Sequence, residues 1–218
     1  MGGIMAVNID TSGLQFFLKA VIINIKRLIN RCIDSYNSLF QLDPENAREI
    51  HNELGDDLEK KGNHVGAIKA YRKILLANPA NVDVLFKLGK IYTRLGQTSE
   101  AIETLRKVTI IDEQIPEAFY LLGSVYFSIE NNIEAEEALI RATTLNPGYA
   151  DAYYKLGLIA GARNDHDGAI KAYHKTIGLR PDHVNAYQSL GFAYEAQGLR
   201  DEAVKYFKKS MDIEQRNS

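Results

Sequence analysis

Small and large apolar residues recur along the chain at a fixed spacing of 34 residues, without a gap, from Arg48 to the C-terminus. Each unit carries a Leu-Gly pair at its seventh and eighth places: Leu54-Gly55, Leu88-Gly89, Leu122-Gly123, Leu156-Gly157 and Leu190-Gly191. An alanine follows twelve residues after each glycine: Ala67, Ala101, Ala135, Ala169 and Ala203. A large apolar residue stands four places further on: Tyr71, Leu105, Leu139, Tyr173 and Phe207. The repetition predicts five units, at 48–81, 82–115, 116–149, 150–183 and 184–217.

Each unit has the features of an antiparallel pair of helices. Glycine and alanine are small where two helices cross, and the large residue fills the space between them. Proline closes three units, at Pro79, Pro147 and Pro181, because it cannot continue a helical hydrogen-bond ladder. One such pair cannot bury its own apolar face, so stacked pairs build a continuous core. We therefore expect an all-α protein, a right-handed superhelix of five regular helix pairs.

This pattern resembles the tetratricopeptide repeat (TPR) family over Arg48 to about Asn217. TPR arrays bind peptides or other proteins and rarely perform chemistry themselves. Two blocks of sequence narrow the resemblance to the magnetosome-associated TPR proteins of magnetotactic bacteria: Tyr149–Leu158, and Ala186–Gly191 continuing through Gly198–Lys209. That resemblance implies a cytoplasmic protein that coats the magnetosome membrane as a homo-oligomer and supports magnetosome formation. Its implied partners are copies of itself and magnetosome membrane proteins.

The N-terminal part of the chain differs from the repeats. Residues 14–45 are predicted to be helical, because no glycine or proline occurs from Leu14 to Asp43, and residues 1–13 to be a flexible tail. Two alternatives remain open for 14–45: a degenerate repeat folded as a hairpin, with Cys32 at a buried small-residue place, or one long amphipathic helix. The segment is apolar and basic, which predicts a self-association element. Its candidate residues are Phe17, Lys19, Val21, Lys26, Arg27, Leu28 and Arg31.

The candidate binding surface lies on the first helix of each pair. In TPR arrays, the second, fifth, ninth and twelfth places of that helix face a concave groove. Here these places combine an acidic rim with an aromatic floor, which suits a basic amphipathic helix. The candidate residues are Asp83, Phe86, Lys90, Glu117, Tyr120, Phe127, Asp151, Tyr154, Leu158 and Phe192. The alternative is that rings such as Phe86 and Tyr154 only pack against neighbouring helices.

Composition and charge remove several classes of function. The 218 residues carry a net charge of −2, which gives no reason to expect nucleic-acid binding. A single cysteine excludes an internal disulfide, and the five histidines show no metal-ligand spacing. We therefore expect no enzyme activity, no cofactor and no small-molecule substrate. Besides self-assembly, two functions remain open: a monomeric adaptor that binds a peptide, and an amphipathic anchor on anionic lipid.

Overall fold

The computed structural model describes residues 11–39 and 44–217, with side chains at 18–33 and 45–216. Over these ranges the chain forms eleven α-helices and no β-strand. The helices are α1 (Thr11–Leu39), α2 (Pro44–Lys60), α3 (His64–Ala77), α4 (Val82–Arg94), α5 (Thr98–Ile111), α6 (Pro116–Ser128), α7 (Asn132–Leu145), α8 (Ala150–Ala162), α9 (His166–Leu179), α10 (Val184–Ala196) and α11 (Arg200–Asn217). The prediction of an all-α protein is confirmed.

The contacts divide the chain into two compact units, Met1–Ile50 and His51–Ser218, and the boundary falls within α2. In the second unit, each helix packs against the next one along the chain, from α3 to α11. The first helices of consecutive pairs also touch, since α4 contacts α6, α6 contacts α8, and α8 contacts α10. Every pair is therefore held by its neighbours, as expected of a repeat array.

The repeat glycines let the two helices of each pair cross closely. A Cβ atom placed on any of the five would lie 2.4 to 2.8 Å from the large side chain on the second helix. Carbon atoms pack best at about 3.5 to 4.0 Å, so only glycine fits at this crossing. The five repeat alanines are also between 0 and 3% exposed. The predicted roles of the small and large places are thus confirmed.

The turn inside each pair uses one left-handed residue at the fifteenth place. Glycine occupies it in three repeats, at Gly62, Gly96 and Gly198, with φ between 66 and 77°. The other two repeats place Glu130 (φ 59°) and Asn164 (φ 60°) in the same conformation. Since L-residues with a Cβ are disfavoured there, these two turns carry strain that the glycine turns lack.

Helix α1, in the first unit, is one continuous helix rather than a hairpin. It begins at Thr11, so residues 11–13 are helical, while residues 1–10 of the predicted tail lie outside the described residues. The prediction that Cys32 is buried is wrong: its side chain is exposed. The prediction assumed a second helix of a hairpin over this face, and a continuous helix supplies none. Among the helices described, none has the length and apolar character needed to cross a membrane.

Candidate binding groove

We use "candidate groove" for the face formed by the predicted places of α4, α6, α8 and α10. The aromatic side chains on it fall into two groups. Phe86, Tyr120, Phe127 and Tyr154 are half-buried, whereas Phe192 is 62% exposed. Of the three predicted rim acids, Asp83 and Glu117 are exposed and Asp151 is partly covered. Lys90 is partly covered and lies 5.6 Å from the centre of the Phe86 ring, and Leu158 is half-buried.

The half-buried rings are held by neighbouring side chains. The ring of Tyr120 lies 4.6 Å from that of Tyr149, between centroids. Tyr154 lies 4.7 Å from the His183 ring and 5.9 Å from the Tyr173 ring. Rings fixed in this way lose little conformational entropy when a partner covers their remaining surface. Inter-helix packing and a binding role are therefore compatible at these positions.

The acidic rim is largely neutralised within the chain. Asp151 accepts two hydrogen bonds from Arg180, at 2.7 and 2.8 Å, and these bonds hold the pKa of its carboxyl group below the ordinary range. Asp83 pairs with Lys87 at 3.2 Å. In the described part of the chain, Glu117 has no ion pair or hydrogen bond. The electrostatic attraction for a basic helix is therefore weaker than the sequence indicated.

Two lysines on the same face were not predicted as site residues. Lys87 lies 2.9 Å from Asp56 and donates a hydrogen bond to Asn52 at 3.1 Å, which joins the first two repeats. Lys155 is half-buried with its Nζ 5.3 Å from the centre of the Phe127 ring, and this burial lowers its pKa. Each lysine follows a predicted rim acid by four residues. This spacing puts them on one helix face, so the sequence could have revealed them.

Most predicted self-association residues lie on α1 within reach of solvent. Lys19, Lys26, Arg27, Leu28 and Arg31 are exposed, and Val21 is half-buried. The side chain of Phe17 lies outside the described ones.

No group of three or more potential metal ligands occurs among the described residues.

Repeated helix pairs with glycine crossings define a class of interaction scaffold, and the sequence comparisons agree. Three family models, each described as tetratricopeptide repeat, match residues 58–125, 116–149 and 141–216. The chain belongs to the tetratricopeptide repeat family. No curated protein sequence matches it.

The solved structures similar to this chain include two crystal structures of MamA. One crystal structure of MamA is 49% identical, with a TM-score of 0.74, and covers 79% of this chain and 94% of its own. A second is 51% identical, with a TM-score of 0.73, and covers 75% and 96%. YrrB, a TPR protein with an unusual peptide-binding site, shares only the fold, at 21% identity and a TM-score of 0.69 over 83% of this chain and 91% of YrrB. The predicted resemblance to the magnetosome-associated proteins is confirmed.

Proposed function

We propose that this chain is a non-catalytic scaffold that assembles with copies of itself on the cytoplasmic face of the magnetosome membrane and supports magnetosome formation. Family membership supports the scaffold role, and the similarity to MamA supports the magnetosome assignment. The observation that carries self-assembly is the exposed apolar face of α1. In this mechanism, α1 of one copy docks into the candidate groove of another.

The exposed face of α1 is apolar, so burying it against another molecule is favourable. Five apolar side chains recur every three or four residues and form one stripe: Leu18, Ile22, Ile25, Ile29 and Ile33. All five are between 43 and 53% exposed. Burying such a side chain fully contributes about 1.5 to 3 kcal/mol, so half-burial leaves a substantial driving force for association. Lys19 and Lys26 border the stripe, which makes α1 amphipathic and basic.

The candidate groove offers matching chemistry. It presents fixed aromatic rings, an exposed Phe192 and the unpaired carboxylate of Glu117. Apolar contact supplies most of the affinity, because exposed ion pairs contribute only about 0–1 kcal/mol each. The same α1 face also suits an anionic lipid surface, and the groove alone suits a peptide of another protein. The experiment distinguishes these two alternatives from self-assembly.

The test compares two substitutions in the full chain by sedimentation velocity over a range of concentrations. Ile25→Glu places a charge in the stripe, and Ile23→Glu places it about 160° away around α1. The two isoleucines are matched, at 50 and 51% exposure. We expect Ile25→Glu to dissociate the assembly and Ile23→Glu to behave like wild type. If the wild-type protein is monomeric, the result supports the adaptor. If the wild-type protein binds anionic vesicles and Ile25→Glu leaves the sedimenting mass unchanged, the result supports the lipid anchor.

A further inference from the structure

Two cavities open between the first helices of neighbouring repeats, in the same register. One has a volume of about 150 Å³ and lies between α4, α5 and α6. The other has about 320 Å³ and lies between α8, α9 and α10. Six of the residues that line the first cavity have counterparts two repeats (68 residues) later in the sequence. These six counterparts line the second cavity. Among these pairs are Thr93 with Gly161 and Ser124 with Phe192.

The twelfth place of the first helix decides whether such a cavity is open. Where it is Thr93 or Gly161, the space is empty. Between the third and fourth repeats it is Phe127, whose ring packs against the buried group that contains Ala135 and Ile159. Those two residues hold the places that Ala101 and Val125 hold in the first cavity, so Phe127 fills the equivalent space.

The first position in this series differs from the other three. Between the first and second repeats, the twelfth place is Glu59, and it forms an ion pair with Arg94 at 3.0 Å. Of the four equivalent positions, the second and fourth thus hold an open cavity, the third holds the Phe127 ring and the first holds an ion pair. The two open cavities, here named the proximal pocket (at Thr93) and the distal pocket (at Gly161), are lined mainly by apolar atoms.

The separation of the pockets matches a spacing on α1. Packed helices lie about 8–10 Å apart, so two repeats separate the pockets by about 16–20 Å. Eleven residues, three turns of helix, span about 16 Å. The exposed stripe of α1 contains two pairs of residues at this spacing, Leu18 with Ile29 and Ile22 with Ile33.

We propose that the proximal and distal pockets each receive one apolar side chain of α1 from a second copy, the two side chains being eleven residues apart. This rests on the proposed self-assembly and adds the register of α1 in the groove. The volumes permit it, because a cavity of about 150 Å³ accommodates a ligand as large as benzene. The exposed Phe192 at the rim of the distal pocket then becomes covered by the bound helix.

The test fills each pocket as Phe127 fills the middle position. Gly161→Phe is compared with Gly161→Ala, whose Cβ would meet only the Tyr173 hydroxyl, at 3.8 Å. Thr93→Phe is compared with Thr93→Val. We expect each phenylalanine variant to raise the dissociation constant of the full chain by about tenfold or more, and the smaller substitution at the same position to raise it much less.

Phenylalanine variants that keep their helical circular dichroism and associate like wild type would overturn the pocket assignment. If Ile25→Glu still dissociates the assembly in that case, self-assembly through α1 stands and only the register is wrong. If a phenylalanine variant fails to fold, three substitutions on the exposed face of α1 decide. Ile29→Ala or Ile33→Ala, one from each candidate pair, should weaken association about tenfold, and Leu28→Ala, which belongs to neither pair, should weaken it much less. Equal effects at all three positions reject the pockets.

Discussion

Helix α1 and the repeats use the same kinds of apolar residue with opposite outcomes. In the repeats, the leucines of the second and fifth Leu-Gly pairs, Leu88 and Leu190, are 2% and 0% exposed. On α1, Ile22 and Ile25 are half exposed. A repeat buries its apolar face because the next repeat supplies the complement at a fixed spacing. The described part of α1 has an apolar stripe that stays exposed, which makes α1 available to another molecule.

The largest effect should come from closing a glycine crossing in the repeats. In Gly157→Ala, the new Cβ would lie 2.4 Å from the Tyr173 ring, so we expect destabilisation by about 1–3 kcal/mol. Gly161→Ala in the same helix meets no such contact and should stabilise by up to about 1 kcal/mol. Urea unfolding measures both. Equal effects at the two glycines would show that the crossing is not sterically closed.

In the candidate groove, we expect the aromatic rings to contribute more to assembly than the acidic side chains. We expect Tyr120→Ala or Tyr154→Ala to weaken assembly by about 2 kcal/mol, and Asp83→Asn or Asp151→Asn by about 0–1 kcal/mol, because both carboxylates are already paired within the chain. Sedimentation at low and high salt measures the difference. If the tyrosine variants retain their helical signal and associate like wild type, these rings serve inter-helix packing alone.

A smaller effect should come from the strained turns. Glu130→Gly relieves a left-handed glutamate and should stabilise the chain by about 0.5–1 kcal/mol. Asn164→Gly is the matched change in the next repeat and should gain less, because asparagine tolerates this conformation better. Thermal unfolding gives the comparison. A larger gain at Asn164 would contradict the assignment of strain.

The smallest effect concerns pH. Hydrogen bonds from Arg180 lower the pKa of Asp151 in the folded state, so this pair stabilises the fold above the unfolded pKa of about 3.9 and loses its contribution as the pH falls further. Since both groups are partly exposed, we expect about 0–1 kcal/mol. Urea unfolding at pH 6 and pH 3 should show a smaller loss of stability for Asp151→Asn than for wild type. An identical loss would contradict this assignment.

The structural features that depend on spacing within one repeat could be predicted from the sequence. The glycine at place eight and the large residue at place twenty-four follow from local geometry that each unit repeats. Arg180 could not be found in this way, since it lies 29 residues after Asp151 and only the folded array brings the two together. The proximal and distal pockets could not be predicted from the sequence, because each is a space left between side chains of three helices that only the folded array brings together.

Assembly should cover the apolar face of α1, and the reactivity of Cys32 reports directly on whether it does. It is the sole cysteine, it is exposed, and it borders the stripe beside Ile29 and Ile33. The measurement is the rate of Cys32 alkylation by N-ethylmaleimide as the protein concentration rises through the assembly transition. A Cys32→Ser, Ile23→Cys variant, with its thiol on the far side of α1, is the control. We predict that Cys32 becomes protected in step with the increase in mass while the control thiol stays reactive. If Cys32 reacts equally fast in the monomer and in the assembly, the apolar face of α1 is not covered and self-assembly through α1 is contradicted.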